Sequence, residues 1–235
     1  YKKAEILIVA GGGLDKKVFH ELGFKNVTIT NLDSRKSEKQ FVPYKWSFQD
    51  DAVKIFLEEK SGILEMATGT GKTRTTFKII DKLLNQEKIN KIIIQMKGEP
   101  LINQWIEETS IWKFNKDESI RILRQDQNKK DKEIFLTNFK NPGIDILFIS
   151  QLSLANFLNE IQDFDLSKTI IIHDEVHNLP TPKMISEIKG LQKGIKYRLG
   201  LSATVRDDND DLERIEDLFK EVGPIIFQFD VKKAI

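Results

Sequence analysis

The chain has 235 residues, enough for one large domain or for a domain with a small appendage. Hydrophobic residues make up 40% and charged residues 31%, with only 13 Gly and 6 Pro, which excludes disorder and collagen-like repeats. A formal net charge of +1 excludes capture of a polyanion by bulk charge, so any contact with nucleic acid has to be local.

Along the chain, short β-branched runs alternate with longer stretches of helical period. Strands are predicted at 5–10, 26–30, 62–66, 91–96, 145–150, 169–173, 197–201 and 225–229. Helices are predicted at 16–22, 50–59, 72–86, 101–108, 129–139 and 211–220. In 50–59, Ala52, Val53, Phe56 and Leu57 fall at core-facing helical spacing. The runs ILFIS and TIIIH show no polar alternation, so they are expected to be covered on both faces, as in a mostly parallel α/β sheet flanked by helices. The polar stretch SRKSEKQ at 34–40, followed by Pro43, marks the expected boundary. It separates a short βαβ-like add-on at 1–43 from a main domain at 44–235. No apolar run approaches the ~18–20 residues of a membrane span, and the start is too quickly broken by glycine for a secretory signal. With no cysteine, disulfides and thiolate metal sites are excluded, and a soluble cytoplasmic protein is expected.

The strongest motif is ATGTGKT at 67–73, after a predicted strand and opening a predicted helix. Glycines there let backbone N–H groups close around phosphate oxygens, and the helix that follows aims its positive end at them. Thr68, Gly69, Thr70 and Gly71 form that cradle, Lys72 supplies a cation to the β/γ-phosphates, and the Thr73 hydroxyl ligates Mg²⁺. The strict glycine-first form of this loop would need Gly where the chain has Met66. The second motif, DEVH at 174–177, follows the apolar run TIIIH. An ATPase needs one carboxylate to hold Mg²⁺ and a neighbour to orient and deprotonate the attacking water, and Asp174 and Glu175 suit those roles in that order. His173 and His177 invite a metal reading, but the third histidine is the distant His20, so a zinc site has too few partners. His177 is read instead as a coupling residue beside the γ-phosphate.

With an Ala-x-x-Gly-x-Gly-Lys-Thr loop and a DEVH box, the chain resembles the first RecA-like domain of superfamily 2 DNA helicases and translocases. It is most similar to the branch of the XPB-like and type I and III restriction motors among the DEAD/DEAH-box helicases. Phe48-Gln49 resembles the adenine-recognising Q motif, and PLINQW at 100–105 resembles motif Ia. ISQLSL at 149–154 resembles motif Ib, and LGLSAT at 199–204 resembles motif III. The resemblance covers roughly 44–235 and implies a P-loop NTPase that uses ATP and Mg²⁺. It implies that Gln49 reads the adenine edge with its amide, with Trp46 or Phe48 stacking on the base or packing as core. It implies that Gln104, Trp105, Ser150 and Gln151 contact nucleic acid, DNA in preference to RNA, although Trp105 could equally be a buried helix residue. Ser202 and Thr204 would couple the two sites. Such motors hydrolyse ATP between two RecA-like domains, so a second one is expected in the full-length chain or a partner, and this fragment alone should be weakly active or inactive.

The N-terminal AEILIVAGGG, KKVFHELG and NVTITNLD, with Asp33, look like the opening of a Rossmann-type methyltransferase. A structural add-on is favoured there over an S-adenosylmethionine site. A further alternative for the main domain is a nucleotide-dependent binding or regulatory module without productive turnover.

Overall fold

The computed structural model describes residues 46–115, 119–125, 129–140, 143–179, 182–205 and 212–230. The βαβ-like segment expected at 1–43 lies outside the described residues. Among the described residues, seven strands form one sheet: β1 (Ser61–Met66), β2 (Lys91–Met96), β3 (Ile120–Arg124), β4 (Ile144–Ser150), β5 (Thr169–His173), β6 (Tyr197–Ser202) and β7 (Ile225–Phe229). Their order is β3-β4-β2-β5-β6-β1-β7, and every pairing is parallel. The helices are α1 (Ser47–Glu59), α2 (Lys72–Asn85), α3 (Glu99–Ile111), α4 (Lys129–Thr137), α5 (Leu154–Glu160), α6 (Pro182–Ile188) and α7 (Leu212–Glu221). Among the described residues no helix is long and apolar enough to cross a membrane.

The apolar strands bury both faces because successive side chains point to opposite sides. On one side Leu64, Ile92, Ile94, Phe148 and Ile172 pack with Ala52 and Phe56 of α1, Phe77 and Ile80 of α2, and Ile102 and Trp105 of α3. On the other, Ile63, Ile93, Leu147 and Ile171 pack with Phe135 of α4, Phe157 of α5, Ile185 of α6 and Leu218 of α7. Each such side chain contributes about 1.5–3 kcal/mol by leaving water, so the sheet is rigid enough to hold loops at defined positions.

Several elements differ from expectation. Strand β3 was not anticipated, because Arg121 and Arg124 break the apolar run; it forms at the sheet edge by pairing Ile122 with Ile146. Helices α5 and α6 span only seven residues each, too short for a periodic signal. Helix α3 begins at Glu99, ahead of the expected 101, with Pro100 in its first turn, where a missing N–H costs nothing.

In a parallel sheet the C-terminal strand ends face one edge, where ligands gather. Strands β5, β6 and β1 are adjacent, and the register sets His173 opposite Gly200 and Ser202 opposite Glu65. The segments after these strands, at 174, 203 and 67, therefore emerge side by side. At the other edge, Lys91 and Asp145 form a buried ion pair, Nζ to Oδ2 at 2.9 Å, with Arg121 3.0 Å from Oδ1.

Candidate active site

The turn from β1 into α2 is built by its own threonine and glycines. The N–H and hydroxyl of Thr70 both donate to Ala67 O, at 3.2 and 2.6 Å, closing a tight loop. Gly69 and Gly71 adopt φ of +79° and +83°, a region that side chains with a Cβ avoid. Nothing lies within 4 Å of where a Cβ on Gly69 would sit, so the backbone there is open to an incoming group. At Gly71 a Cβ would collide with the Gln49 amide, which packs against the loop. Helix α2 starts with no side-chain cap and no acid in its first turn, leaving its leading N–H groups for an anion. Lys72 Nζ reaches back to Met66 O at 3.3 Å, across the mouth of the loop, and Thr73 is half-buried beside it.

Gln49 sits behind this loop. It is 1% exposed, its Nε2 donates to Thr70 O at 3.0 Å, and its Oε1 is buried with no hydrogen-bond partner among the described residues. One of the two amide hydrogens is thus committed to the loop, leaving the second hydrogen and the oxygen for a ligand. Phe48 stacks on Phe229 with ring centroids 3.7 Å apart, which assigns it to packing.

The acidic pair follows β5. Asp174 is 6% exposed; its Oδ2 accepts the indole N–H of Trp105 at 2.7 Å and its Oδ1 accepts the Glu175 N–H at 3.0 Å. Burial pushes its carboxyl above the ordinary 3.8, and the charge of Glu175 adds to this. The Trp105 and Glu175 hydrogen bonds and the Lys72 ammonium pull it back. Glu175 has φ of +50°, a left-handed backbone uncommon outside glycine, and this turn separates its side chain from that of Asp174.

His177 links this turn to the end of β6. Its Nδ1 lies 2.9 Å from Ser202 Oγ and 3.3 Å from Glu175 Oε2, and Asn178 Nδ2 lies 3.2 Å from its Nε2. Ser202 donates its hydroxyl hydrogen to Thr204 O at 2.7 Å and accepts the Thr204 N–H at 3.2 Å. The serine oxygen is therefore an acceptor for histidine, which puts the ring hydrogen on Nδ1 and leaves Nε2 to accept from Asn178. His177, Ser202 and Thr204 form a continuous chain from the acidic turn. His173 takes no part in it, being fully buried between Gln95 and Gln192 at 3.0 and 2.9 Å. Burial pushes its pKa down to about 4, so the ring is neutral. Gln192 Nε2 has no partner among the described residues, and exchanging the two ends of that amide gives the neutral ring a donor at its Nε2.

The residues expected on the nucleic-acid face divide. Gln104 is exposed on α3, bonded to Glu108 at 2.8 Å, and Ser150 is part-buried at the end of β4 with Ser153 at 3.1 Å. Trp105 is 2% exposed and Gln151 8%, which corrects their placement on that face. Trp105 points into the core to reach Asp174, and Gln151 donates to Asn178 O at 2.9 Å, tying its loop to the turn after the acidic pair. Sequence reasoning missed Gln95, Gln192 and Asn178, of which only Asn178, directly after DEVH, carried a signal.

The residues present fit a nucleotide with Mg²⁺. The orphaned Gln49 oxygen suits an N–H donor such as an exocyclic amine, and the Thr73 hydroxyl and Asp174 carboxylate are the hard oxygen donors that Mg²⁺ takes alongside phosphate and water.

A seven-stranded parallel sheet with these three loops along one edge defines a RecA-like α/β domain. The chain matches the family described as "Type III restriction enzyme, res subunit" over residues 35–207, and it belongs to that family, as a RecA-like domain of the superfamily 2 helicases. It is 28% identical over 186 residues to the DNA 3'-5' translocase XPB2 of Sulfurisphaera tokodaii, covering 79% of this chain and 36% of that protein. It is 26% identical over 180 residues to a putative DNA 3'-5' helicase Rad25 of Haloarcula marismortui, covering 76% of this chain and 25% of that protein. The chain thus spans about a third or less of these relatives. The crystal structure of the Pyrococcus furiosus Hef helicase domain shares the fold at a TM-score of 0.60 and 17% identity, covering 78% of this chain and 37% of that one.

Proposed function

We propose that this domain is the first, ATP-binding RecA-like half of a superfamily 2 DNA helicase or translocase motor, coupling ATP hydrolysis to movement on DNA. The observation that carries this is the meeting, at the ends of β1, β5 and β6, of an open glycine loop and Lys72 with paired carboxylates and the His177 to Thr204 bridge.

In this assignment the N–H groups of residues 68–73 bind the phosphates and Lys72 neutralises charge at the β/γ end. The Gln49 oxygen accepts from adenine. Thr73 and Asp174 hold Mg²⁺, which supplies charge stabilisation to the phosphates when bound. Glu175, with a third of its side chain exposed, orients the attacking water and takes its proton on a carboxylate oxygen. His177, in contact with Glu175 and Ser202, carries the state of that position towards Thr204. The surface bearing Gln104 and Ser150 serves as part of the DNA track, and DNA is favoured over RNA because the similar XPB2 and Rad25 proteins are described as acting on DNA. A second RecA-like domain, in the full-length chain or a partner, completes the cleft; a positive group delivered from it is worth ~10³–10⁵ in rate in related phosphoryl-transfer enzymes.

Lys72→Ala should abolish most Mg-ATP affinity in calorimetry while leaving the melting temperature in place. Unchanged affinity overturns the assignment. A nucleotide-binding module without turnover is separated by adding the second domain, which should produce DNA-stimulated hydrolysis only in a motor.

A further inference from the structure

We propose that Trp105 is a positioning residue for the acidic site, its indole N–H aiming the Asp174 carboxylate and tying the helix that bears Gln104 to the Mg²⁺ end of the nucleotide site. This rests on Asp174 being the Mg²⁺-holding carboxylate proposed above. The contact joins residues 69 positions apart, at 2.7 Å, between two buried side chains. At 2.7 Å it lies at the short end of the N–H···O range. Together with the Glu175 N–H on the other oxygen, it fixes the carboxylate plane, since rotation of the group would break both bonds. Each oxygen keeps a lone pair for a further ligand.

The indole is itself held from the phosphate side. It meets Phe77 of α2 edge-on, with centroids 5.6 Å apart, and Phe77 lies on the helix that opens with Lys72 and Thr73. Trp105 therefore touches the phosphate-loop helix through its ring and the acidic turn through its nitrogen. Packing alone would be served by phenylalanine; the N–H is what tryptophan adds. Trp112 supplies an internal comparison. It packs on the same Phe77 at 5.4 Å, yet its buried Nε1 has no hydrogen-bond partner among the described residues.

The test is paired. Trp105→Phe and Trp112→Phe each remove one indole N–H beside Phe77, and binding of a fluorescent ATP analogue is titrated against Mg²⁺ and repeated in EDTA. Removing a group that orients a metal ligand costs 10–100-fold in metal affinity in comparable sites. Trp105→Phe is therefore expected to raise the Mg²⁺ concentration for half-maximal binding by ~10-fold, with EDTA binding unchanged. Trp112→Phe should match wild type. A Mg²⁺ requirement for Trp105→Phe equal to wild type overturns the proposal, and so does an equal loss with and without Mg²⁺, which would mark a packing role only. If Trp105→Phe does not fold, benzothienylalanine at position 105 keeps the bicyclic shape and removes only the N–H, and the same criteria apply. Wild-type binding that does not respond to Mg²⁺ overturns the assignment of Asp174, and the proposal with it.

Discussion

Two buried aspartates at opposite edges of one sheet live under different electrostatics. Asp145, at the start of β4, is fully buried and paired with the Lys91 ammonium, itself 1% exposed, with the Arg121 guanidinium beside it. Asp174, just past the end of β5, is almost as buried but is held by two neutral donors, the Trp105 and Glu175 N–H groups. The Lys72 ammonium also pulls on it, but less than its burial or its hydrogen bonds act. A carboxylate with its own cations is complete and serves the fold. One held by dipoles still lacks a countercharge, which the Mg²⁺ of the proposed nucleotide site would supply.

That contrast can be broken at either edge. The largest effect is expected at the closed one: Asp145→Ala strands a buried ammonium and should cost about 3–5 kcal/mol in urea unfolding, with nucleotide affinity of the folded fraction unchanged. Next is Glu175→Gln in a protein completed by its second domain. It should keep ATP binding and lose turnover by ~10² or more, measured as phosphate release, because shape is kept and the base is gone. Ser202→Ala should be smaller. It removes the acceptor for His177 and the donor to Thr204 O, and is expected to lower DNA-stimulated turnover by roughly fivefold, the worth of about 1 kcal/mol, without changing ATP affinity.

The smallest effect is on pH dependence. Because the folded value of Asp174 lies above 3.8, its contribution to stability is complete below that value and is lost as pH rises through the raised one. Urea midpoints should show wild type gaining on Asp174→Ala as pH falls from neutral towards 3.8. A gain in the opposite direction would mean that Asp174 is stabilised in its charged form without any added cation.

Much of the fold was legible because its signals are local. The runs KIIIQM, DILFIS and TIIIH lack polar alternation, which requires cover on both faces, and strands β2, β4 and β5 have it. The phosphate loop was legible for the same reason: glycine conformation and helix polarity act within a few residues. Strand β3 was not, since IRILR becomes a strand only through its pairing with β4.

The candidate site was legible in its motifs but not in its wiring. ATGTGKT and DEVH announce themselves by composition, whereas the partners of each side chain depend on which strands lie next to each other. Gln49 follows an aromatic at a position that suggested adenine, and its bond to Thr70 O, made because α1 packs directly against the loop, could not be read from the residues. Gln151 was expected on the surface and is drawn inward by a carbonyl 27 residues away.

Trp105 shows most clearly where the boundary falls. Residue type and helical spacing allow either a surface aromatic or a core one, and nothing within ten residues of it distinguishes them. Its direction follows from the sheet order β4-β2-β5, which sets the end of β5 beside β2 and within reach of the helix that follows β2. Periodicity, turn chemistry and the loop that cradles phosphate are short-range properties, and a chain declares them in its residues. Which buried polar groups meet is a long-range property, settled by strand order and by the requirement that a buried N–H and a buried carboxylate each find a partner.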